Sequence, residues 1–168
     1  PDEPKGHVFA ITEKILAEVV GDGTRTLEEL ILDDPRAVAL ASVYLGNHPD
    51  ADERVPAAGE RVRLSELGTH CKGCIFLDGA RLLTPALEDA IERISRTFPG
   101  FHFGRYDLRV PSPGHLMRGE GIRVLELNGL TAEATSIYDP RHSVLDAWRT
   151  LAAQWCIAFR IGAVQVRL

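Results

Sequence analysis

The chain reads as an α+β fold, an antiparallel β-sheet flanked by helices. Apolar, β-branched stretches bounded by Gly and Pro recur along it with only a few helical patterns among them. Strands and helices do not alternate strictly, as a parallel doubly wound sheet would demand. Size adds a third observation. At 168 residues, 45% apolar and 26% charged, the chain lies in the single-domain range and can bury a core, so one domain over residues 1–168 is expected.

The elements follow in order. Residues 7–20 are rich in β-branched and apolar types and end at the turn signal Gly21-Asp22-Gly23, which predicts one or two strands. Thr26 is followed three residues later by Glu29, the capping-box spacing, so a helix is expected from Thr26 through Leu32, broken or restarted at Pro35. Arg36 to Leu45 carries apolar residues at helical spacing with Gly46-Asn47 as a stop, and residues 46–60 read as an exposed loop. Arg61 to Leu67 alternates with the period of a half-buried strand, and Cys74 to Leu77 reads as another.

Thr84-Pro85 places a cap and a first-turn proline ahead of Leu87, Ile91 and Ile94, a helix ending near Phe98-Pro99-Gly100. Two strands are expected at 101–110 and 122–128, joined by a Pro- and Gly-rich connection, with antiparallel pairing the simplest topology. From Arg141 to Ile161, Val144, Trp148, Leu151, Trp155 and Phe159 fall at helical spacing, predicting a long helix packed across the sheet. No internal repeat or low-complexity segment is visible.

Charge narrows the partners. A net charge of −5 without any basic run argues against nucleic acid, which requires a clustered basic surface. The longest apolar stretches fall well short of the roughly 20 residues needed to cross a bilayer, so no membrane partner is expected. The opening Pro1-Asp2-Glu3-Pro4-Lys5 has no apolar core of a signal peptide, and three cysteines fit a reducing compartment, which together predict a cytoplasmic location.

Chemistry concentrates in two strands, Gly104-Arg105-Tyr106-Asp107 and Leu125-Glu126-Leu127-Asn128. Side chains two apart on a strand share a face, so Arg105 goes with Asp107 and Glu126 with Asn128, and all four converge if the strands pair. Asp, Glu and the Asn carbonyl are hard oxygen ligands of the kind magnesium takes alongside phosphates, and Arg105 beside them answers phosphate charge. On spacing alone the same residues equally fit ordinary surface ion pairs on a half-exposed sheet.

GRYD followed by LELN resembles the signature of ATP-grasp ligases such as the D-alanine:D-alanine ligases, where an Arg-x-Asp strand precedes a Glu-x-Asn strand. EVVGDGTRTLEELI, residues 18–31, is similar to the corresponding segment of the cyanophycin synthetases, and VPAAGERVRLSELGTHCKG resembles the strand and loop that follow there. NGLTAEATSIYDP, starting at Asn128, is similar to a less characterised bacterial ATP-grasp group, so the likeness runs from about Glu13 to Pro140.

The resemblance implies the C-terminal subdomain of an ATP-grasp fold, part of a carboxylate–amine ligase that uses ATP and Mg2+ and forms an acyl phosphate. It implies that Asp107, Glu126 and Asn128 bind one or two magnesium ions, with Glu126 bridging, and that Arg105 stabilises the transferring phosphoryl group. Lys14 and Lys72 would face phosphate or substrate carboxylate, against the plainer reading of solvated strand-edge charges. Gly129 would serve a turn letting the chain approach ligand closely, and Glu133 would face the amine substrate, against the plainer reading of an exposed loop carboxylate. The upstream lobe with its phosphate-binding lysines and adenine hinge is not visible before Pro1, so the chain is expected to be a C-terminal portion that needs that lobe.

Two alternatives stand beside this reading. One is a non-catalytic binding module that retains the ATP-grasp C-terminal scaffold. The other is a redox or zinc module built on Cys71-Lys72-Gly73-Cys74. Against zinc, the remaining cysteine, Cys156, lies within the C-terminal helix; against redox, the pair precedes a strand instead of opening a helix. His70, as a substrate contact, and His102 are secondary candidates, since a lone histidine is more often a hydrogen-bonded structural residue.

Overall fold

A computed structural model of the chain describes residues 5–66 and 73–165. It is a mixed structure of helices and small antiparallel strand pairs. The chain divides into two compact units, one made of residues 13–76 and the other of residues up to 12 together with those from 77 onward.

The first unit opens with β1 (Thr12–Ile15) and β2 (Glu18–Val20), then turns into α1 (Leu27–Asp33). The start of α1 is set by the expected capping box: Thr26 Oγ1 accepts from the Glu29 N–H at 3.2 Å, and the Glu29 carboxylate accepts from the Thr26 N–H at 2.8 Å. Arg36 to Leu45 does not form one helix. A 3-10 turn at Val38–Leu40 precedes α2 (Ala41–Asn47), which runs through Gly46 and Asn47 because the Asn47 amide donates to the Leu64 carbonyl at 3.1 Å. Residues 48–60 carry no regular element, yet Ala51 and Pro56 are buried, so this loop is partly built into the core.

β3 (Arg61–Arg63) pairs antiparallel with β2, aligning Glu18 with Arg63, Val19 with Val62 and Val20 with Arg61. Its core is one cluster: Val19, Leu27, Leu30, Ile31, Ala37, Tyr44, Ala51, Val62 and Leu64. β4 (Ile75–Asp78) pairs with β1.

In the second unit, α3 (Pro85–Ser95) begins where expected, with Thr84 as cap and Pro85 in the first turn, and buries Leu87 and Ala90. β5 (Arg105–Arg109) and β6 (Arg123–Asn128) form the expected antiparallel pair. Their connection holds an unexpected short helix, α4 (Pro113–Met117), capped by Ser112 with Pro113 in the first turn, the same Ser/Thr-Pro device that starts α3. A 3-10 turn at Thr135–Tyr138 leads to α5 (Val144–Gln165).

Two expectations need correction. The strands among the described residues form three two-stranded pairs, not one continuous sheet, since elements of three to six residues offer few edge groups for further pairing. α5 forms over the expected span, but its aromatic stripe does not pack across a sheet: Trp148 is 66% exposed and Phe159 73%. The less exposed side of α5 is instead Ala147, Thr150, Leu151, Gln154, Ile157, Ala158 and Ile161, centred roughly 100° round the helix from the tryptophans. No described helix is long and apolar enough to cross a membrane.

Candidate functional site

The register of β5 and β6 decides which side chains meet. Arg105 lies opposite Asn128, Tyr106 opposite Leu127, and Asp107 opposite Glu126. Directly opposed residues of an antiparallel pair share a face, as do residues two apart along one strand, so Arg105, Asp107, Glu126 and Asn128 form a square on one face. Tyr106 points the other way, where it packs 5.1 Å from the Phe101 ring and donates its hydroxyl to Ser95 Oγ of α3 at 3.0 Å. That aromatic anchor holds the back of the pair while the polar square faces outward.

Just beyond the square the register slips: Leu108 faces Val124, leaving Leu125 as an extra residue on β6. A bulge bends its strand and re-aims nearby side chains, and it sits where Asp107 and Glu126 end the square.

Within the square, Arg105 Nε donates to Asp107 Oδ1 at 3.2 Å, and Arg105 Nη1 donates to the Glu133 carbonyl at 3.3 Å. Asp107 and Arg105 are partly buried, and Glu126 is exposed. Like charges directly opposite one another on a strand pair repel. Arg105 bonds to one of them, and Glu126 has no ion-pair partner among the described residues.

Asn128 brings an unsatisfied group. Its Nδ2 is buried with no hydrogen-bond partner among the described residues, a state that costs free energy unless a ligand or water answers it. The strand it caps is held close to the start of β5 by Gly104, where a Cβ would fall 2.2 Å from the Asn128 carbonyl oxygen. A side chain there would push the two strand ends apart.

These residues fit a magnesium ion in donor chemistry. Asp107 and Glu126 carry carboxylate oxygens and Asn128 an amide oxygen, the donor types Mg2+ takes, while the buried Asn128 Nδ2 calls for an acceptor such as a phosphate oxygen. No cluster of three or more His, Cys, Asp or Glu suited to a metal occurs among the described residues, a set to which Asn128 does not belong.

Lys14 belongs to the unit of residues 13–76, where its ammonium stands 5.7 Å from the centroid of the Phe76 ring. Lys72, His70 and Cys71 lie outside the described residues, and His102 is exposed. Burial pushes the Cys74 thiol up from its ordinary pKa, with Lys14 opposing, and a raised pKa is the reverse of what a reactive thiol needs. The Glu133 side chain accepts from the Tyr138 hydroxyl at 3.4 Å. Gly129 has open space where a Cβ would stand and no positive φ.

Sequence reasoning missed two supports of the square. One is Gly104, legible only as the first letter of its motif. The other is Gln154 of α5, an amide side chain on a helix face otherwise lined by Ala, Leu, Ile and one Thr; that break in the row was its available signal.

A further buried network closes the segment after β6. Asp139, with a fully buried side chain, accepts from the Asp78 N–H at 2.6 Å and from Arg141 Nε and Nη2 at 2.9 and 2.5 Å. The Arg141 guanidinium holds the Asp139 carboxyl well below the usual carboxylate range. Thr135 and Ser136 are also buried, so the chain leaving the square is tied down within a few residues. Compared with family models and with curated proteins, the chain matches none.

Proposed function

We propose that this chain supplies the metal- and phosphate-facing part of an ATP- and Mg2+-dependent carboxylate–amine ligase of the ATP-grasp type. The observation that carries the reading is the square itself: two opposed carboxylates, an arginine and a buried, unsatisfied asparagine amide on one face of a strand pair. In that cluster Asp107 is paired with Arg105, and the exposed Glu126 carboxylate and the buried Asn128 amide are groups that a cation with phosphate oxygens would engage.

The reaction would run in two steps. A carboxylate oxygen of the first substrate attacks the γ-phosphorus of ATP, the bond to the β–γ bridging oxygen breaks, and ADP leaves behind an acyl phosphate. The amine nitrogen of the second substrate then attacks the acyl carbon, the carbon–oxygen bond to phosphate breaks, and the nitrogen gives up a proton as inorganic phosphate departs. Magnesium, when bound, would supply charge neutralisation at the phosphates in both steps.

Each residue has a separate task. Asp107, Glu126 and Asn128 would hold the metal, with exposed Glu126 placed to reach a second ion. Arg105, kept in place by Asp107 and the Glu133 carbonyl, would lie against the transferring phosphoryl group and stabilise the charge that develops there. Glu133 would face the amine, where a carboxylate favours an ammonium group. Adenine binding and the remaining phosphate contacts would come from an upstream ATP-grasp lobe.

Titration calorimetry of Mg-ATP into this chain and into a longer version carrying the upstream lobe tests the reading. Binding by the longer form that disappears with Asp107→Ala is the expected result. If neither form binds Mg-ATP, the enzyme reading is abandoned in favour of a non-catalytic binding module.

A further inference from the structure

Gln154 is the one strongly polar residue on the less exposed side of α5, and it is 4% exposed. Its side-chain amide is satisfied on both ends by one short stretch of backbone. Nε2 donates to the Ala132 carbonyl at 2.8 Å, and Oε1 accepts from the Ala134 N–H at 2.8 Å. A planar amide carries a donor and an acceptor side by side, so it pairs with residues i and i+2 of an extended chain as a neighbouring strand would. The residue between those two is Glu133, and the Glu133 carbonyl accepts from Arg105 Nη1 at 3.3 Å.

A continuous path therefore runs from α5 into the polar square: Gln154, the Ala132–Ala134 backbone, the Glu133 carbonyl, Arg105 and then Asp107. The stretch is anchored on either side of the clamp as well. Ala132 N–H donates to the Gly129 carbonyl at 3.1 Å, and Thr135 Oγ1 donates to Thr12 Oγ1 at 3.0 Å. Neither of those bonds fixes the direction in which the Glu133 carbonyl points. The two Gln154 bonds do, because the Ala134 N–H belongs to the same planar peptide as the Glu133 carbonyl and the Ala132 carbonyl to the peptide before it.

We propose that Gln154 is a positioning residue that aims the Glu133 carbonyl and through it the Arg105 guanidinium, so that one arm of Arg105 is held by backbone while another lies on Asp107. This rests on the square being a phosphate-facing site only for its consequence in binding; the mechanical link stands on the hydrogen bonds alone. Without the clamp Arg105 keeps its charge and loses its direction, and direction is what recognition of a phosphoryl group requires.

The test uses the full chain, free of ligand, with the Arg105 Nε–H resonance and the exchange rate of the Ala134 amide as readouts. Gln154→Met keeps the volume and removes both bonds, and Gln154→Glu keeps the acceptor and removes the donor. The expected result for Gln154→Met is at least a tenfold faster exchange at Ala134 and a shift of the Arg105 Nε–H signal towards that of a solvated guanidinium. Gln154→Glu shifts Arg105 as well but leaves Ala134 more protected than Gln154→Met does. An unchanged Arg105 signal in both variants overturns the proposal, and should Gln154→Met fail to fold, Gln154→Glu alone decides it by the same signal.

Mg-ATP titration in the lobe-restored protein then separates this link from the ligase reading. If Gln154→Met weakens binding tenfold in the presence of Arg105 and has no effect in an Arg105→Ala background, the link reaches the phosphate site. Equal weakening in both backgrounds contradicts action through Arg105. Absence of Mg-ATP binding by the parent protein sinks the ligase reading and leaves the Arg105 resonance as the judge of the positioning role.

Discussion

Two antiparallel strand pairs in this protein alternate apolar and charged residues, and they use their charges in opposite ways. In β2–β3, Val19 and Val62 face each other in the core while Glu18 and Arg61 form an ion pair at the surface. Charges of opposite sign meet, and nothing is left over. In β5–β6, Tyr106 and its aromatic neighbours serve as the anchor, but the opposite face sets Asp107 against Glu126 and leaves the buried Asn128 amide unanswered. The first pair matches opposite signs across its strands, and the second sets like signs opposite one another with Arg105 bonded to one of them.

That contrast can be broken most forcefully in the core. Leu27→Ala removes a fully buried side chain from the cluster that backs β2–β3, and the loss of transfer energy plus the cavity should cost about 3 kcal/mol. Denaturant unfolding should show the midpoint falling with little change in slope. A cost under about 1 kcal/mol would mean that β2–β3 is not the structural pair it is taken to be.

The buried network behind β6 offers a pH-dependent version of the same question. Asp139 has its pKa depressed in the folded state, so its stabilising contribution is fully present above the ordinary carboxylate value of about 4. That contribution is lost as pH falls below 4 towards the lower folded value. Asp139→Asn should lower Tm at pH 7 by on the order of 5 °C and flatten the decline of Tm between about pH 4 and 2. An acid limb as steep as that of the parent would assign the dependence to other carboxylates.

The smallest effect carries the sharpest contrast, because it predicts a difference in sign. Glu126→Gln relieves the opposition with Asp107 and should raise the stability of the ligand-free chain by about 0.5 kcal/mol. Glu18→Gln breaks the β2–β3 surface pair and should lower it by up to about 0.5 kcal/mol. Thermal melts of the two variants at low ionic strength measure both, and equal signs would erase the distinction between the strand pairs.

Signals confined to one turn of chain are legible in the sequence because their physics is local. The Thr26–Glu29 capping box and the Thr84-Pro85 start each depend on residues within one turn, and both helices begin where those residues place them. The Ser112-Pro113 start of α4 is a signal of the same local kind, set among prolines and glycines that by themselves predict a loop. The spacing of Arg105 with Asp107 and of Glu126 with Asn128 placed each pair on one face of its own strand. The square also needs a register, and register depends on the Tyr106 packing and the Leu125 bulge, which no single strand contains.

For α5, periodicity located a stripe but not the direction it faces. Aromatic residues at helical spacing normally turn inward, and here small and aliphatic residues around Gln154 do so instead. An orientation of this kind is settled by what the rest of the unit presents to the helix, and no window of α5 alone records it.

The orientation of α5 has an optical consequence. The protein has two tryptophans, Trp148 and Trp155, and both lie on the outward stripe of this one helix. Excitation at the red edge of the absorption band therefore interrogates α5 alone, from side chains that already face solvent in the folded state. Emission from the native protein should already sit at long wavelength, and unfolding of the 13–76 unit, whose buried aromatics include Tyr44 and Phe76, would pass without a tryptophan signal. An intrinsic-fluorescence melt of this protein is a thermometer clipped to one helix, and far-ultraviolet circular dichroism is the probe that sees both units.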